Sequence, residues 1–405
     1  MNRRRRFWPR LWPGPAPDPP PGRSALAALP GDLRVGLDAS FLALNQASGL
    51  RTYTLNLLKA LVGTGAFQEL SCFYLYWRSR APRPVLPGTR ERVCRFPRRL
   101  IEKSWDLCSW PPIDCLAGRV DVFHSVHARV PPQRRGGSVL TVHDLREYRL
   151  PHFFPHLQAA RPARTAMARR AHRVVVISQS TRRDAIELMG LDPARVRVVP
   201  NGLDPRFLEP HSAEALATFQ KQRGLARPYV LFLSSADPRK GLGEACSAFR
   251  LATSRGLSGF DLVVAGAMPP GAGELLAAAG DMERVRVIGI VGDAEISLLL
   301  AGARSLLFAS HYEGFGLPLL EAFACGTPVV ACSNSSIPEV AGDAAILTPT
   351  GDAEALAEGL LRVEEDDELR RTMREKGLRR CRDFTWERAA ELMVEVYREA
   401  ALEGC

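Results

Sequence analysis

No uninterrupted apolar run in the 405 residues reaches the roughly 18 that a membrane-spanning helix needs. The best stretch, ISLLLAGARSLLFAS, is broken by Arg304, which excludes a membrane-spanning chain. Cys-x-x-Cys pairs are also missing, and nine cysteines lie scattered at 72, 94, 108, 115, 246, 325, 332, 381 and 405. An odd, unpatterned set argues against a disulfide frame or a zinc site and predicts reduced thiols in a cytoplasm. The start, MNRRRRFWPRLWPGPAPDPPPGR, has basic residues but neither an apolar h-region nor a cleavage site, so it is not a secretory signal. Its prolines predict a disordered basic tail over 1–30. Internal repeats at solenoid spacing are absent as well.

What is present fits a soluble globular protein: 46% hydrophobic and 24% charged residues, in a chain long enough for two domains. The net charge of +10 is uneven. Residues 1–200 hold 33 Lys and Arg against 14 Asp and Glu, whereas the remainder holds 21 against 30. The front half therefore meets something anionic or lies against the acidic half. Nucleic acid, anionic lipid and a phosphorylated substrate all carry that charge. No nucleic-acid recognition motif accompanies it, so nucleic acid is not expected as a partner.

Short apolar runs ending in polar loops mark buried parallel strands: RVGLDAS, LSCFYLYW, VDVFHS, SVLTVHD, HRVVVIS and RVRVVP. Between several of them lie helical stretches, such as LRTYTLNLLKALV with Leu50, Tyr53, Leu57, Leu58 and Leu61 on one side. The pattern then restarts with PYVLFLSS, DLVVAGA, VRVIGI, SLLFAS, TPVVAC and AAILTP. Two doubly wound α/β sheets in series follow, Rossmann-like domains over 31–200 and 201–385. Residues 386–405 form a terminal amphipathic helix. Ligands of such sheets bind beyond the carboxyl ends of the strands, which places the site in the cleft between the domains.

The stretch Ser310 to Ala331, SHYEGFGLPLLEAFACGTPVVA, is nearly all apolar or glycine, yet carries Glu313 and Glu321. Gly314 and Gly316 bracket a turn, and Pro318 and Gly326 suit the two ends of a short helix, Leu317 to Cys325. Glu321 is the one charged position on it. A carboxylate there is costly unless something hydrogen-bonds to it, either a neighbouring loop, a buried Arg, or a ligand. Glu313 ends the preceding strand, where a ligand would lie. The amides of Phe315, Gly316 and Leu317 at the helix start form an anion site. Together these suit a ligand with hydroxyls and a diphosphate.

Glu313 and Glu321 also form the Glu-x7-Glu motif of the retaining GT-B glycosyltransferases of the glycosyltransferase group 1 family (family 4), which this segment resembles. SSIPEVAGDAAIL, DVFHSVHARVPP, SVLTVHDLREY, RVVVISQSTRRD, RVRVVPNGLDPRF, DPRKGL and FTWERAAELMVEVYREA are similar to further blocks of that family, in its order. The resemblance covers nearly all the chain beyond residue 33 and implies a GT-B fold, two Rossmann-like domains across a cleft. It implies that Glu321 holds the ribose of a nucleotide-sugar donor and Glu313 the hydroxyls of the transferred sugar. The amides near Gly316 would meet the diphosphate or the sugar.

A departing nucleoside diphosphate gains charge, and Arg239 and Lys240 in DPRKGL are the expected clamp for it. The resemblance implies that His143, ending SVLTVHD, contacts the donor sugar near the reacting bond. Many members have Gly-Arg before the DPRKGL loop, where this chain has Ser234-Ser235. The family's Gly-Gly-Ile-Gly-Arg-Tyr is here Ser48-Gly49-Leu50-Arg51-Thr52-Tyr53, leaving Gly49, with Arg51 placed to bind an anionic acceptor. His124 and His127 follow a strand, and His127 is counted with Gly49 and Arg51 on the acceptor side.

The expected reaction is hexose transfer with retention, GDP-mannose being the first donor and UDP-sugars the next. The acceptor is a glycan or lipid-linked molecule in cell-surface polysaccharide or glycoconjugate synthesis. No Asp-x-Asp motif is present, so no metal or other cofactor is expected. RFPRRLIEKSWDLCSW (95–110) mixes cations with Phe, Leu, Ile and Trp, and with the RRRRFWPRLW tail makes an anionic membrane surface a further candidate partner. The expected location is cytoplasmic, peripheral at the inner membrane face. The competing expectation is a non-catalytic nucleotide-sugar-binding or scaffold protein on the same fold, favoured by the departures at Ser234-Ser235 and Arg51.

Overall fold

Thirteen strands form two all-parallel sheets, seen in a computed structural model that describes residues 33–404 apart from 44–48, 78–82, 85, 128, 278–279 and 281. The tail expected over 1–30 lies outside the described residues. The first sheet holds β1 (Arg34–Asp38), β2 (Glu69–Tyr76), β3 (Arg90–Arg95), β4 (Val122–Ser125), β5 (Gly137–Val142), β6 (Arg173–Val176) and β7 (Val196–Val198). Their order is β3-β2-β1-β4-β5-β6-β7. The second holds β8 (Tyr229–Ser234), β9 (Asp261–Gly266), β10 (Val285–Gly289), β11 (Ser305–Phe308), β12 (Val329–Cys332) and β13 (Ala345–Thr348), in the order β10-β9-β8-β11-β12-β13. Both sheets thus reverse direction beside their first strand, the topological switch point of doubly wound folds.

Every strand anticipated from an apolar run is present. β3 is the one that the sequence reading missed. Its residues, RERVCR, alternate exposed and half-buried at the sheet edge, so it lacks the continuous apolar run of a central strand. Its cations are partly paired along the edge, Arg90 and Arg92 both reaching Glu69 of β2.

The helix Gly49–Thr64 buries Tyr53, Leu57, Leu58 and Leu61. At roughly 1.5–3 kcal/mol per buried large apolar side chain, that face fixes it to the first sheet. The helix Trp386–Glu403 comes after the second sheet but packs on the first domain, against the helix Gly49–Thr64 and β5. His124 is enclosed there. Its Nδ1 lies 2.8 Å from the Tyr397 hydroxyl and its Nε2 2.7 Å from Thr141 Oγ1. Burial pushes the imidazole down to about 3, so it stays neutral and acts as a core connector. Arg173 of β6 adds an ion pair to Glu399 at 2.7 Å.

Candidate active site

β11 is buried along its whole length and delivers Ser310 to Gly316 to the carboxyl edge of the second sheet. The helix after it spans Leu317–Ala324, with Pro318 in its first turn and Cys325 as its cap. Gly316 precedes it at φ 105°, a left-handed conformation that a side chain would strain. The turn is held from behind by SSIPEV: Ser336 Oγ donates to the carbonyls of Glu313 and Phe315, and the Glu313 amide donates to Ser335 Oγ at 2.8 Å. The amides of Phe315, Gly316 and Leu317 find no acceptor among the described residues.

Glu313 is buried and held by three donors. Its carboxylate accepts from Lys240 Nζ at 2.7 Å, Arg239 at 2.8 Å and Ser310 Oγ at 2.7 Å. Burial alone would raise its pKa, but Lys240 and Arg239 outweigh it and hold the carboxyl at about 2. Arg239 and Lys240 sit on a single 3₁₀ turn, Pro238–Lys240, which Asp237 caps by accepting from the Arg239 amide. Arg239 is itself buried; it also donates to Asp237 at 2.8 Å and to the Tyr312 carbonyl. Lys240 is the more accessible of the two cations and lies 5.4 Å from the centre of the Phe308 ring. Just before this turn, Ser234 Oγ is buried with no hydrogen-bond partner among the described residues.

Glu321 presents the opposite case. It is half-buried on a helix whose Leu319, Leu320, Ala322, Phe323 and Ala324 are core residues. No hydrogen bond or ion pair reaches its carboxylate from the described residues. Arg206, the cation nearest in electrostatic effect, is paired instead with Asp204 and Asp293. Desolvation pushes the carboxyl up to about 7; Arg206 opposes this, while Asp204 and Asp293 add to it. Neither the loop-capping nor the buried-Arg alternative is realised among the described residues.

The first domain meets this turn directly. A Cβ on Gly314 would fall 1.9 Å from the His143 carbonyl oxygen, so glycine is required where the two backbones touch. The His143 ring donates from Nε2 to the Val126 carbonyl at 2.9 Å, leaving Nδ1 as the unprotonated nitrogen. Burial pushes this imidazole down to about 4. The Tyr53 ring meets it edge-on with centres 4.6 Å apart, so the helix Gly49–Thr64 braces the histidine. His127 is half-buried with its ring against Phe41, and burial holds it near 4. Arg51 is half-buried on the same helix, and Gly49 is exposed at its start with open space around it. The structure thus gathers His143, Glu313, Arg239 and Lys240 at the junction and leaves Gly49 at the rim.

Several residues at the junction carry no obvious signal in the sequence. Arg146 pairs with Asp237 across the cleft at 2.7 Å. The Tyr312 hydroxyl donates to Asp184 Oδ2 at 2.7 Å, and Asp184 Oδ1 accepts from Arg149 at 2.7 Å. Ser310 could have been found from its spacing, three residues before Glu313 in one turn. Asp184, in the middle of a charged helix, could not.

Residues 216–380 match the family described as Glycosyl transferases group 1, and residues 47–207 that described as Glycosyltransferase Family 4. Over 272 residues the chain is 28% identical to the O-antigen chain mannosyltransferase B of Escherichia coli, covering 66% of this chain and 71% of that one. It is 31% identical over 241 residues to the MMP alpha-(1->4)-mannosyltransferase of Mycolicibacterium hassiacum, covering 58% of this chain and 56% of that one. The chain thus spans little more than half of the second relative's length. Among solved structures, sucrose-phosphate synthase from Thermosynechococcus elongatus superposes with a TM-score of 0.72 at 22% identity, covering 91% of this chain and 98% of that one. WaaG, a glycosyltransferase involved in lipopolysaccharide biosynthesis, superposes with a TM-score of 0.69 at 16% identity, covering 89% and 99%. With two parallel α/β sheets facing one another, the fold is GT-B, and the chain belongs to the group 1 glycosyltransferases, resembling their mannosyltransferase members.

Proposed function

We propose that the chain transfers a hexose, with retention and without a metal, from a nucleotide-sugar donor to a glycan or lipid-linked acceptor of cell-surface polysaccharide or glycoconjugate synthesis. GDP-mannose is the first donor and UDP-sugars the next, the mannosyltransferase relatives favouring mannose. One observation carries the reading: of two carboxylates on one strand-turn-helix unit, Glu313 is paired with two cations while Glu321 has no partner among the described residues. Glu321 would accept from the ribose hydroxyls, and Glu313 from those of the sugar. As the anomeric C–O bond to the diphosphate breaks, the charge gained by the leaving oxygen would be met by Lys240, Arg239 and the free amides at Phe315 to Leu317. On the front face the acceptor oxygen bonds to the anomeric carbon, and its proton passes to the leaving oxygen.

Thermal unfolding with GDP, UDP, ADP or dTDP tests the donor class. At about 100 times its dissociation constant a nucleotide adds roughly 2.7 kcal/mol of stability. One of the four should shift the transition, and Glu321→Ala should lose the shift. No shift with any of them would sink the reading, and binding without transfer to any acceptor would favour a non-catalytic sugar-nucleotide binder.

The proposal includes peripheral contact with an anionic membrane surface. No helix among the described residues is long and apolar enough to cross a membrane. Six of the eleven large apolar side chains most open to solvent fall between 77 and 110, which sets this corner apart from the rest of the described surface. Tyr76 and Arg95 are paired in register, so Trp77 and Phe96 leave adjacent strand ends together. Leu100 and Leu107 then follow on the helix Arg98–Cys108, whose Ile101 and Trp105 face inward. Arg95, Arg99 and Lys103 have no ion pair among the described residues, which suits anionic headgroups around an apolar insertion. Flotation with phosphatidylglycerol vesicles should recover the protein, and the double variant Lys103→Glu, Leu107→Glu should stay behind. Equal recovery with neutral vesicles and at high salt would reject the contact.

A further inference from the structure

Besides the Arg146–Asp237 pair, the cleft is bridged at three points that the catalytic reading leaves unused. Tyr312, the residue before Glu313, is buried, and its hydroxyl crosses into the first domain. There it donates to Asp184 Oδ2 at 2.7 Å and accepts from the Leu145 amide at 3.3 Å. Glu339 of the second domain accepts from the amides of Gln179 at 2.9 Å and Ser180 at 3.2 Å, the start of the helix Gln179–Met189 that carries Asp184. Thr181 on the same helix donates to the Gly314 carbonyl at 3.2 Å.

We propose that Tyr312 is a positioning residue: its phenol, seated between Asp184 and the Leu145 amide, sets the spacing between the His143 loop and Glu313, with Glu339 as the second point of the same closure. This rests on the reading of His143 and Glu313 as the groups that meet the transferred sugar. The geometry admits little slack. Leu145 is two residues from His143 and Tyr312 is next to Glu313, so one hydrogen-bonded group spans both. Arg239 holds the Tyr312 carbonyl while also binding Glu313, which fixes the near end. Arg149 and Tyr312 take the two oxygens of Asp184, which fixes the far end. Groups from two domains that must act on one sugar need such a gauge, since a displacement of about 1 Å costs on the order of 100-fold in rate. Opening the cleft to admit a donor breaks these contacts together with the Arg146–Asp237 pair, so the same gauge is released and remade at each turnover.

Amide hydrogen exchange on the full chain tests this without any substrate, so its failure is separable from failure of the transferase reading. In Tyr312→Phe, the Leu145 amide loses its acceptor and exchanges faster whatever the role of the residue. The diagnostic amides are Gln179 and Ser180, which Tyr312 does not touch. They should also exchange about tenfold faster, the equivalent of one buried hydrogen bond lost from a shared closure. Glu339→Gln should reciprocally accelerate Leu145. Exchange confined to the altered contact in each variant would overturn the proposal. Asp184→Asn, which keeps an acceptor oxygen for the phenol, should protect Gln179 and Ser180 better than Asp184→Ala; equal exchange in the two would also overturn it. Once a donor is identified by nucleotide binding, Tyr312→Phe should lower kcat and leave KM for that donor within about twofold. A change in KM alone would count against positioning.

Discussion

Glu313 and Glu321 lie eight residues apart on one turn and helix, yet their surroundings drive their carboxyls in opposite directions. Glu313 is the deeper of the two and the more acidic, because two cations and a serine hydroxyl face it. Glu321 is less buried and the less acidic, because apolar neighbours surround it and no cation among the described residues pairs with it. Depth therefore does not decide ionisation here; partners do. The difference separates two kinds of site residue. Glu313 is part of the folded structure before any ligand arrives, and Glu321 is a strain that a ligand with hydroxyls would relieve.

The largest effect is expected from removing the saturated carboxylate. Glu313→Gln leaves the half-buried Lys240 without its counter-charge and the buried Arg239 with Asp237 alone, and should destabilise the protein by about 3 kcal/mol in denaturant unfolding. It should also cut transfer by 100-fold or more, as loss of a preorganised polar group at a reacting centre does. Unaltered stability would erase the contrast between the two carboxylates. The next effect comes from Glu321→Gln, which should fold as well as the parent at neutral pH. Calorimetric titration with the nucleotide that shifts unfolding should show affinity reduced by roughly tenfold to 100-fold, the worth of a hydrogen bond to a charged group. Undiminished affinity would move the ribose elsewhere.

The smallest effect sharpens the comparison through pH. The Glu321 carboxyl is raised in the folded protein from 4.5 to about 7, so between those values the folded state holds a proton that the unfolded state has lost. The stability this brings is complete below 4.5 and disappears as pH rises through about 7. Glu321→Gln does not titrate and should gain on the parent in melting temperature from acid to mildly alkaline buffer. Glu313 works in the other sense: its contribution is present above 4.5 and is lost only as pH falls toward about 2. A gap between parent and Glu321→Gln that is constant with pH would show that Glu321 is solvated like an ordinary surface carboxylate.

Much of this was legible because it is local. The strand, the glycine turn, the short helix and both glutamates fall within one continuous stretch, and a lone charge on an apolar helix already poses the question that Glu321 answers. The turn carrying Arg239 and Lys240 is equally compact, opened by Asp237 and closed by a glycine. The cross-cleft bonds were not legible. Arg146 and Asp237 are 91 positions apart, and Tyr312 and Asp184 are 128 apart, with nothing in either local pattern to pair them. The role of His124 was hidden for the same reason, since its partner Tyr397 lies 273 residues away. β3 was missed on different grounds: an edge strand needs no apolar face on both sides, so it carries no run to detect.

The helix Trp386–Glu403 has a consequence for the order in which the molecule can be assembled. It follows the second sheet in the chain, but it supplies Tyr397 to His124 and Glu399 to Arg173 in the first. During synthesis the first domain would leave the ribosome with this face bare, and it would stay so until the whole second domain had emerged. A chain stopped at residue 385 would lack the wall over β5 and the partner of a buried imidazole, although every candidate site residue would be present. The two domains are separate as sheets but share this helix, which follows the second sheet and closes the first half.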